Sequence, residues 1–282
     1  MPSAGTPKPQ VDTSTAHPAR VYDWLLGGKD NYEVDRVVGE GLSEPAKALA
    51  RASARENRAF MRRTSEWLAR RGVDQFLDIG TGIPTEPNLH QIVQGENPAA
   101  RIVYVDNDPI VLRHAEALLC SMEEGATDYI QADVREPVAL LRRVRDSGVL
   151  DFDRPIGLSL IALMHFIPDS DGPYDIVRTL LDSLAPGSHL TLSHGTFDAH
   201  PEEGKAVEKA YEKGGVVIQP RRRPEVEQFF EGLELVGQSG LVTVDRWPPP
   251  KLLPEPRGEL AVSAESDGPA AVYGGVARVP VR

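Results

Sequence analysis

The sequence predicts an α/β fold: a doubly wound, mostly parallel sheet preceded by a helical cap or lid. Short apolar runs alternate with amphipathic stretches, which is typical of strands joined by helical crossovers. The runs are apolar almost throughout, as expected for strands buried on both faces. Glycine or acidic residues follow several runs, and such residues commonly lie at the ligand-binding edge of a parallel sheet.

Five apolar runs predict the parallel strands. In chain order they cover residues 75–79, 102–105, 129–132, 156–163 and 189–193. The predicted helices that follow the first strand cover residues 109–122, 174–184, 202–213 and 223–230. Two later runs, 240–244 and 271–279, are expected to complete the sheet as an antiparallel pair. The proline-rich stretch 248–258 predicts a surface loop.

The chain before the first strand has a different character. Residues 1–18 are rich in Pro, Ser, Thr and Gly and predict a disordered tail. Residues 19–71 carry helical periodicity, with apolar stripes around Ala46–Ala54 and Phe60–Leu68. We therefore expect three parts: the tail at 1–18, a helical cap or lid at 19–71, and a sheet-bearing, ligand-binding domain at 72–282.

The composition excludes several classes of protein. The net charge of −11 repels a phosphate backbone, so we expect no nucleic-acid partner. No apolar stretch is long enough for a membrane helix, and no signal pattern begins the chain, so we expect a soluble, cytoplasmic protein. Cys120 is the only cysteine, which excludes an intramolecular disulfide and a cysteine metal cluster, and we predict no metal site.

Three aspartates end successive predicted strands. Gly80-Thr81-Gly82 follows the first strand, just after Asp78, and glycines there let the backbone approach a ligand closely. Asp106 ends the second strand, where an acid can accept hydrogen bonds from both hydroxyls of a ribose. Asp133 ends the third strand, where an acid can accept from an adenine amino group. Together these positions predict an adenosine site.

The charges near the glycines distinguish between adenosine cofactors. A dinucleotide site needs a third glycine and a helix N-terminus for the pyrophosphate, but Thr85 stands at that third position. Asp78 and Glu86 would also repel a pyrophosphate. The same acids suit the ammonium and sulfonium groups of S-adenosylmethionine, which is therefore the predicted cofactor.

These motifs resemble those of class I S-adenosylmethionine-dependent methyltransferases. Residues 163–169, Leu-Met-His-Phe-Ile-Pro-Asp, are similar to the segment after the fourth strand of many small-molecule methyltransferases. The Pro186-Gly187 turn is similar to theirs before the fifth strand. Residues 19–32, ARVYDWLLGGKDNY, are similar to the opening signature of an actinobacterial group of S-adenosyl methyltransferases, the DUF574 group. The resemblance runs from about residue 18 to the end and implies a Rossmann-like S-adenosylmethionine-binding domain.

The resemblance also implies a set of cofactor-binding residues. Asp78, Gly80 and Gly82 would hold the methionine part, Asp106 the ribose and Asp133 the adenine. Neighbouring positions complete the set within the sheet: Thr81, Asn107, Val134 and Leu163. Residues of the lid would fold over the pocket, and those predicted to contact the cofactor are Tyr22, Gly27, Gly28 and Asn31.

The acceptor and the need for a base stay open at this point. Positioning supplies most of the rate of methyl transfer, and a base is required only if the acceptor must lose a proton. His165 and Tyr22 are the candidate bases, with His194 and His200 as weaker candidates after the fifth strand. The basic run at 221–223 would be a solvated helix entry or a grip for an acidic substrate.

The predicted function is methyl transfer from S-adenosylmethionine to a small-molecule acceptor. The fourth strand does not end in an Asn-Pro-Pro-aromatic or Asp-Pro-Pro-aromatic segment, which counts against methylation of adenine or of glutamine amides. It does not end in a Pro-Cys pair either, which counts against methylation of cytosine at C5. Two alternatives remain at this stage: a sensor that binds S-adenosylmethionine without turnover, and a nucleotide-dependent oxidoreductase, which the acids near the glycines disfavour.

Overall fold

The computed structural model describes residues 13–111, 121–237, 240–248 and 270–281. The strands within these ranges are β1 (Gln75–Ile79), β2 (Arg101–Asp106), β3 (Ala126–Gln131), β4 (Gly157–Ile161), β5 (His189–Gly195), β6 (Glu234–Leu235), β7 (Val242–Thr243) and β8 (Val272–Arg278). The α-helices are α1 (Pro18–Leu25), α2 (Glu33–Glu40), α3 (Glu44–Ala69), α4 (Leu89–Glu96), α5 (Pro137–Asp146), α6 (Pro173–Asp182), α7 (Pro201–Lys213) and α8 (Arg223–Glu227).

The described strands form one sheet in the order β3-β2-β1-β4-β5-β8-β6, with β7 also paired to β8. The pairs among β1 to β5 are all parallel, and β8 is antiparallel to β5. The strand order reverses between β1 and β4, which places a topological switch point at their carboxyl ends. The predicted doubly wound, mostly parallel sheet is confirmed.

The two faces of β1 and β2 pack against different helices because side chains alternate along a strand. Leu77 and Val103 point into a cluster that includes residues of α5 and α6. Phe76 and Ile102 point to the opposite face, where they pack with residues of α3 and α4. Both layers therefore pack on buried and largely apolar strand faces, as the apolar runs predict.

The N-terminal helices pack in two places: α3 against the sheet, and α1 and α2 against α7. The long helix α3 begins after Ser43 with a proline in its first turn, which fixes a helical φ angle at no cost in hydrogen bonds. Its buried residues Phe60 and Trp67 belong to the sheet core. In contrast, α1 and α2 bury Val21 and Val38 against α7. No helix in the described part of the chain is both long and apolar enough to cross a membrane.

The C-terminal third differs in part from the sequence prediction. The antiparallel pair expected from 240–244 and 271–279 is confirmed as β7 and β8. The strand β6 was not predicted, because two residues are too few to give a periodic pattern. Most of the loop predicted at 248–258 and the middle of the helix predicted at 109–122 lie outside the described residues.

Candidate functional site

A cavity of about 380 Å³ lies at the carboxyl ends of the parallel strands, beside the switch point. Its volume is within the range of small-molecule sites. The sheet contributes residues that follow β1, β2, β3 and β4, and the helices α1 and α3 form the opposite wall. The predicted residues that line the cavity are Tyr22, Asp78, Gly80, Thr81, Gly82, Asp106, Asn107, Asp133, Val134 and Leu163.

The turn after β1 depends on glycines with left-handed backbone angles. Gly80 has a φ of 76° and Gly82 a φ of 69°, which residues with a Cβ rarely adopt. A Cβ on Gly80 would also lie 2.8 Å from the Leu163 side chain. The missing side chain thus lets the β1 and β4 ends approach each other across the cavity.

The amide groups of this turn are already engaged within the protein. Gly80 and Thr81 donate their N–H groups to the Val105 carbonyl at 2.8 and 3.3 Å. Gly82 donates to the Asp106 carboxylate, with its N atom 2.8 Å from Oδ2. A dinucleotide site instead turns such N–H groups toward the pyrophosphate. The turn is therefore shaped for close approach of a ligand rather than for binding a phosphate.

Asp106 joins the turn after β1 to the loop after β2. Its Oδ1 accepts a hydrogen bond from the Asp108 N–H at 2.9 Å, while Oδ2 accepts from Gly82. Burial raises the pKa of this carboxyl, and the two N–H donors partly offset that effect. A carboxylate offers about four lone-pair positions, so Asp106 can still accept from ligand hydroxyls.

The two other strand-end aspartates differ in environment. Burial raises the pKa of Asp78, and the positive charge of Arg58 is near enough to lower it in part. Asp133 is more exposed and lies 3.3 Å from Arg135, which also pairs with Asp171 at 2.9 Å. The cavity thus has a buried acidic end at Asp78 and a more solvated end at Asp133.

A strained residue follows β4 at the cavity. Ala162 has a φ of 52°, which is unfavourable for a residue with a Cβ, and its N–H donates to the Ser193 hydroxyl at 2.9 Å. The Ala162 backbone lies in the cavity wall between Ile161 and Leu163. Strain of this kind persists where the surrounding structure enforces it, and functional sites are a common location. No sequence pattern predicts a left-handed backbone angle at Ala162.

One stripe of α1 covers the cavity. Ala19, Tyr22, Asp23 and Leu26 recur at the spacing of one helix face, and all four line the cavity. The Tyr22 hydroxyl donates to the Ala54 carbonyl at 3.0 Å. Burial raises the pKa of Tyr22, so its hydroxyl stays protonated near neutral pH. This geometry argues against the predicted role of Tyr22 as a base.

Three residues predicted to contact the cofactor lie away from the cavity. Gly27, Gly28 and Asn31 are not in its lining; the loop that contains them wraps around the buried Asp23 carboxylate instead. Asn31 donates to Asp23 Oδ2 at 2.7 Å, and a Cβ on Gly28 would lie 1.9 Å from Asp23 Oδ1. In place of direct contact with the cavity, Asn31 and the close approach of Gly28 fix Asp23, which lines the cavity and was not predicted.

His165 is also turned away from the cavity lining. Its Nδ1 accepts a hydrogen bond from the Gly195 N–H at 3.1 Å, and its ring packs 5.4 Å from that of His194. Burial lowers the pKa of His165 to about 3, helped by the charge of Arg221. This placement does not support the role of His165 as a base, which stays a prediction; the hydrogen bond fastens the segment after β4 to the end of β5.

His194 and Arg221, the first residue of the basic run, belong to the same supporting structure. Arg221 is almost fully buried and donates to the Met164 and Ile167 carbonyls at 3.0 and 2.9 Å. Its Nη1 also lies 3.0 Å from His194 Nε2. His200 precedes α7 and, like His194, is not in the cavity lining. Arg221 thus holds the loop after β4 rather than facing the cavity.

The prediction missed residues that reach the cavity from α3 and from the chain before α1. Asn57, Arg58 and Met61 lie on one side of α3 and line the cavity. His17 lies in the segment predicted as a tail, yet it lines the cavity and its Nε2 is 3.2 Å from Asn107 Oδ1. Docking of helices brings these residues to the site, and local patterns carry no signal of docking.

Buried charges hold the start of α1 over the end of β2. Arg20 Nε lies 3.3 Å from Asp108 Oδ2 and 3.7 Å from Asp35 Oδ1. Both carboxylates are buried, and Asp35 Oδ1 also accepts from the His17 N–H at 2.9 Å. Helix α1 therefore already covers the cavity in this structure, with α2 bound to it through Asp35, while closure of residues 20–36 upon ligand binding stays a prediction.

The charges of the cavity favour a cationic ligand. Four aspartates line it, namely Asp23, Asp78, Asp106 and Asp133, against the two arginines Arg58 and Arg135. Arg135 pairs with acids at the exposed end. Arg58 instead donates to the backbone carbonyls of Thr85 and Pro87, so it keeps N–H groups for a ligand carboxylate. S-adenosylmethionine, with its ammonium, sulfonium and single carboxylate, fits this donor set.

Comparisons with known proteins agree with this geometry. A family model described as S-adenosyl methyltransferase matches residues 4–280. A DUF574 family protein from Streptomyces avermitilis MA-4680 is 42% identical, with a TM-score of 0.87, over 96% of this chain and 100% of that one. A candidate methyltransferase from Thermobifida fusca YX is 34% identical, with a TM-score of 0.80, over 98% of this chain and 99% of that one. No curated protein matches significantly.

Proposed function

We infer, from the premise that this chain belongs to the S-adenosyl methyltransferase family, that the acidic cavity binds the cofactor and that the acceptor is a small molecule. The family's activity is methyl transfer that depends on S-adenosylmethionine. One observation supports the assignment of the cavity: the N–H groups of the turn after β1 donate hydrogen bonds within the protein, to the Val105 carbonyl and the Asp106 carboxylate. A site for an adenosine ligand with a cationic rather than a phosphate end accounts for this arrangement.

The proposed contacts follow the charges along the cavity. Asp106 would accept from the ribose hydroxyls, and Asp133 from the adenine amino group, between the walls formed by Val134 and Leu163. At the opposite end Asp78 would offset the positive charge of the methionine part. Thr81 and Asn107 complete the turns that surround it.

Arg58 is the proposed partner of the cofactor's carboxylate. It is the cavity arginine near Asp78, and its charge offsets part of the rise that burial causes in the pKa of that aspartate. Two backbone carbonyls orient its guanidinium, so a carboxylate at the methionine end can bind a preset group. This contact would also distinguish the complete cofactor from adenosine fragments that lack the amino acid.

When bound, S-adenosylmethionine supplies a methyl group on a positively charged sulfur. The chain's own part is to hold donor and acceptor together and to exclude water, which α1, Met61 and Phe166 do by covering the cavity. The Tyr22 hydroxyl donates a hydrogen bond to the Ala54 carbonyl, and His165 lies outside the cavity lining. We therefore assign neither residue as a base. Acceptors that react through an available lone pair, such as neutral amines, suit such a site.

The class of acceptor rests on the size and charge of the cavity. At about 380 Å³ it has room for a compact ligand, and acidic residues dominate its charge. These features favour a neutral or cationic small molecule over a polyanion such as nucleic acid. The cytoplasm stays the predicted location of the protein.

Calorimetry with three ligands tests the cofactor assignment. S-adenosylhomocysteine should bind, whereas NAD should not, and binding of NAD alone would refute the assignment. Arg58→Gln should weaken S-adenosylhomocysteine by about tenfold or more, the value of a charge-assisted hydrogen bond. The same substitution should leave 5′-methylthioadenosine, which lacks the amino acid, almost unchanged.

Arg62→Gln is the matched control, because Arg62 lies on the same helix but is exposed and outside the cavity lining. Equal weakening of both adenosine ligands by Arg58→Gln would show that the arginine acts on the cavity as a whole rather than on the carboxylate. Transfer of an isotope-labelled methyl group to a component of a cell extract would separate an enzyme from a sensor, since a sensor binds but forms no product.

A further inference from the structure

The side-chain amide of Asn57 carries an unused acceptor at the cavity. Asn57 is 1% exposed and belongs to the cavity lining. Its Oδ1 atom is buried and has no hydrogen-bond partner among the residues that the structure describes. Burying a polar atom without a partner costs about 1–3 kcal/mol, so an atom of this kind at a ligand cavity points to a donor on a ligand.

Tyr22 fixes the orientation of the Asn57 side-chain amide. The Tyr22 hydroxyl has one proton and donates it to the Ala54 carbonyl at 3.0 Å. Its oxygen can therefore only accept from Asn57, and the Asn57 Nδ2 atom lies 3.1 Å away as the donor. A flipped amide would set two acceptors against each other, so the NH₂ group faces Tyr22 and Oδ1 faces away from it.

The wall near Asn57 is mostly apolar. Tyr22 and Leu26 pack with Phe166 and Val216 in the cluster that joins α1 to α7, and all four line the cavity. The proposed cofactor contacts lie elsewhere, at the strand ends and at Arg58. The cavity next to α1 therefore combines apolar walls with the neutral Asn57 amide and with the Asp23 carboxylate, which already accepts from Asp30 and Asn31.

We propose that Asn57 Oδ1 accepts a hydrogen bond from a hydroxyl or amine group of the methyl acceptor, and that this acceptor has a compact apolar body, such as an aromatic ring. The proposal rests on the proposed function of the cavity. An amide cannot take up a proton near neutral pH, so Asn57 orients the acceptor and is not a base. Tyr22 is the positioning residue that holds the amide in the accepting orientation.

Two matched pairs of probes test the inference on protein saturated with S-adenosylhomocysteine. Phenol is compared with anisole, and aniline with N,N-dimethylaniline, because the second member of each pair lacks the donor hydrogen. Ligand-observed NMR titrations give the Kd of each probe. In the wild-type protein the donor-bearing member should bind about fivefold more tightly, equivalent to about 1 kcal/mol.

Variants on α1 and α3 separate recognition from packing. Asn57→Leu keeps the branched shape of the side chain but removes the acceptor, so the preference within each pair should vanish while the Kd of S-adenosylhomocysteine stays within about twofold. Tyr22→Phe should reduce the preference because it frees the amide to turn. Thr64→Val is the control: this buried residue of α3 bonds only to its own helix, to the Phe60 and Met61 carbonyls, and lies outside the cavity lining.

The outcomes are distinct from those of the cofactor test. Two results with wild-type protein that binds S-adenosylhomocysteine would overturn the inference: no preference within either pair of probes, or no binding of any probe. It is also overturned if Asn57→Leu weakens S-adenosylhomocysteine as strongly as Arg58→Gln does, because Oδ1 would then serve the cofactor's ammonium. Failure of S-adenosylhomocysteine to bind the wild-type protein would instead refute the proposed function.

Discussion

Replacing Gly80 by alanine should damage the cofactor site through two separable effects. The φ of 76° places residue 80 in the left-handed region, where a Cβ costs about 1–2 kcal/mol. The new Cβ would also lie 2.8 and 3.0 Å from the two methyl carbons of Leu163, so this side chain must shift. Overpacking of this kind costs roughly 1–3 kcal/mol.

The expected loss of stability from Gly80→Ala is therefore about 2–5 kcal/mol, which lowers the Tm by on the order of 10 °C for a chain of this size. Because Leu163 lines the cavity, its displacement should also weaken S-adenosylhomocysteine by about tenfold. Thermal unfolding without ligand gives the first quantity, and calorimetry well below the Tm gives the second.

Gly72→Ala is the matched control for this experiment. Gly72 has a φ of 86°, but among the described residues no atom lies within 4 Å of the position of its Cβ, outside its own chain neighbours. Gly72→Ala should therefore lose only the stability that a Cβ costs at a left-handed φ, and it should bind S-adenosylhomocysteine with the wild-type affinity. If Gly80→Ala also binds S-adenosylhomocysteine like the wild type, then the contact between residue 80 and Leu163 does not shape the cofactor site.

Three further predictions concern affinity, pH and lid closure. Asp106→Asn should weaken the binding of S-adenosylhomocysteine by about tenfold or more in calorimetry, since an NH₂ donor would replace one carboxylate oxygen and face the N–H of Gly82 or Asp108; an unchanged Kd would contradict this. The pKa of a histidine is near 6.5 in an unfolded chain, whereas burial lowers the pKa of His165 to about 3 in the folded protein. Between these two values the unfolded chain binds one more proton than the folded protein. The free energy of unfolding should therefore fall as the pH drops from about 6.5 toward 3, by up to about 1.4 kcal/mol per pH unit. Urea unfolding of His165→Gln should show a shallower dependence, and an identical slope would refute the assignment. Amides of residues 20–36 should exchange more slowly with S-adenosylhomocysteine bound, while equal protection in both states would leave α1 and α2 as permanent scaffold.

The strand ends were predictable because topology alone brings them together. In a parallel sheet, residues that follow successive strands must meet at one edge, so Asp78, Asp106 and Asp133 could be assigned to one cavity from their order in the chain. The sheet itself followed from the spacing of apolar runs. Both predictions use information that is local in sequence.

The helical wall was less predictable because it depends on docking. Asn57 and Arg58 reach the cavity only through the angle at which α3 packs on the sheet, and nothing in the α3 sequence states that angle. Gly27 and Gly28 looked suited to a ligand, but a glycine pair equally suits a chain that closes on its own carboxylate, here Asp23. His165 shows the same ambiguity, because a histidine at a strand end can serve chemistry or hold a loop.

The position of α3 has a consequence for how this family could diversify. One side of this helix packs Phe60 and Trp67 into the sheet core, while Asn57 and Arg58 line the cavity. Changes that shift α3 as a whole would therefore disturb the sheet core together with the cavity. The stripe of α1 around Leu26 and the segment around Val216 carry less of the core, so we expect new acceptor preferences to evolve there first.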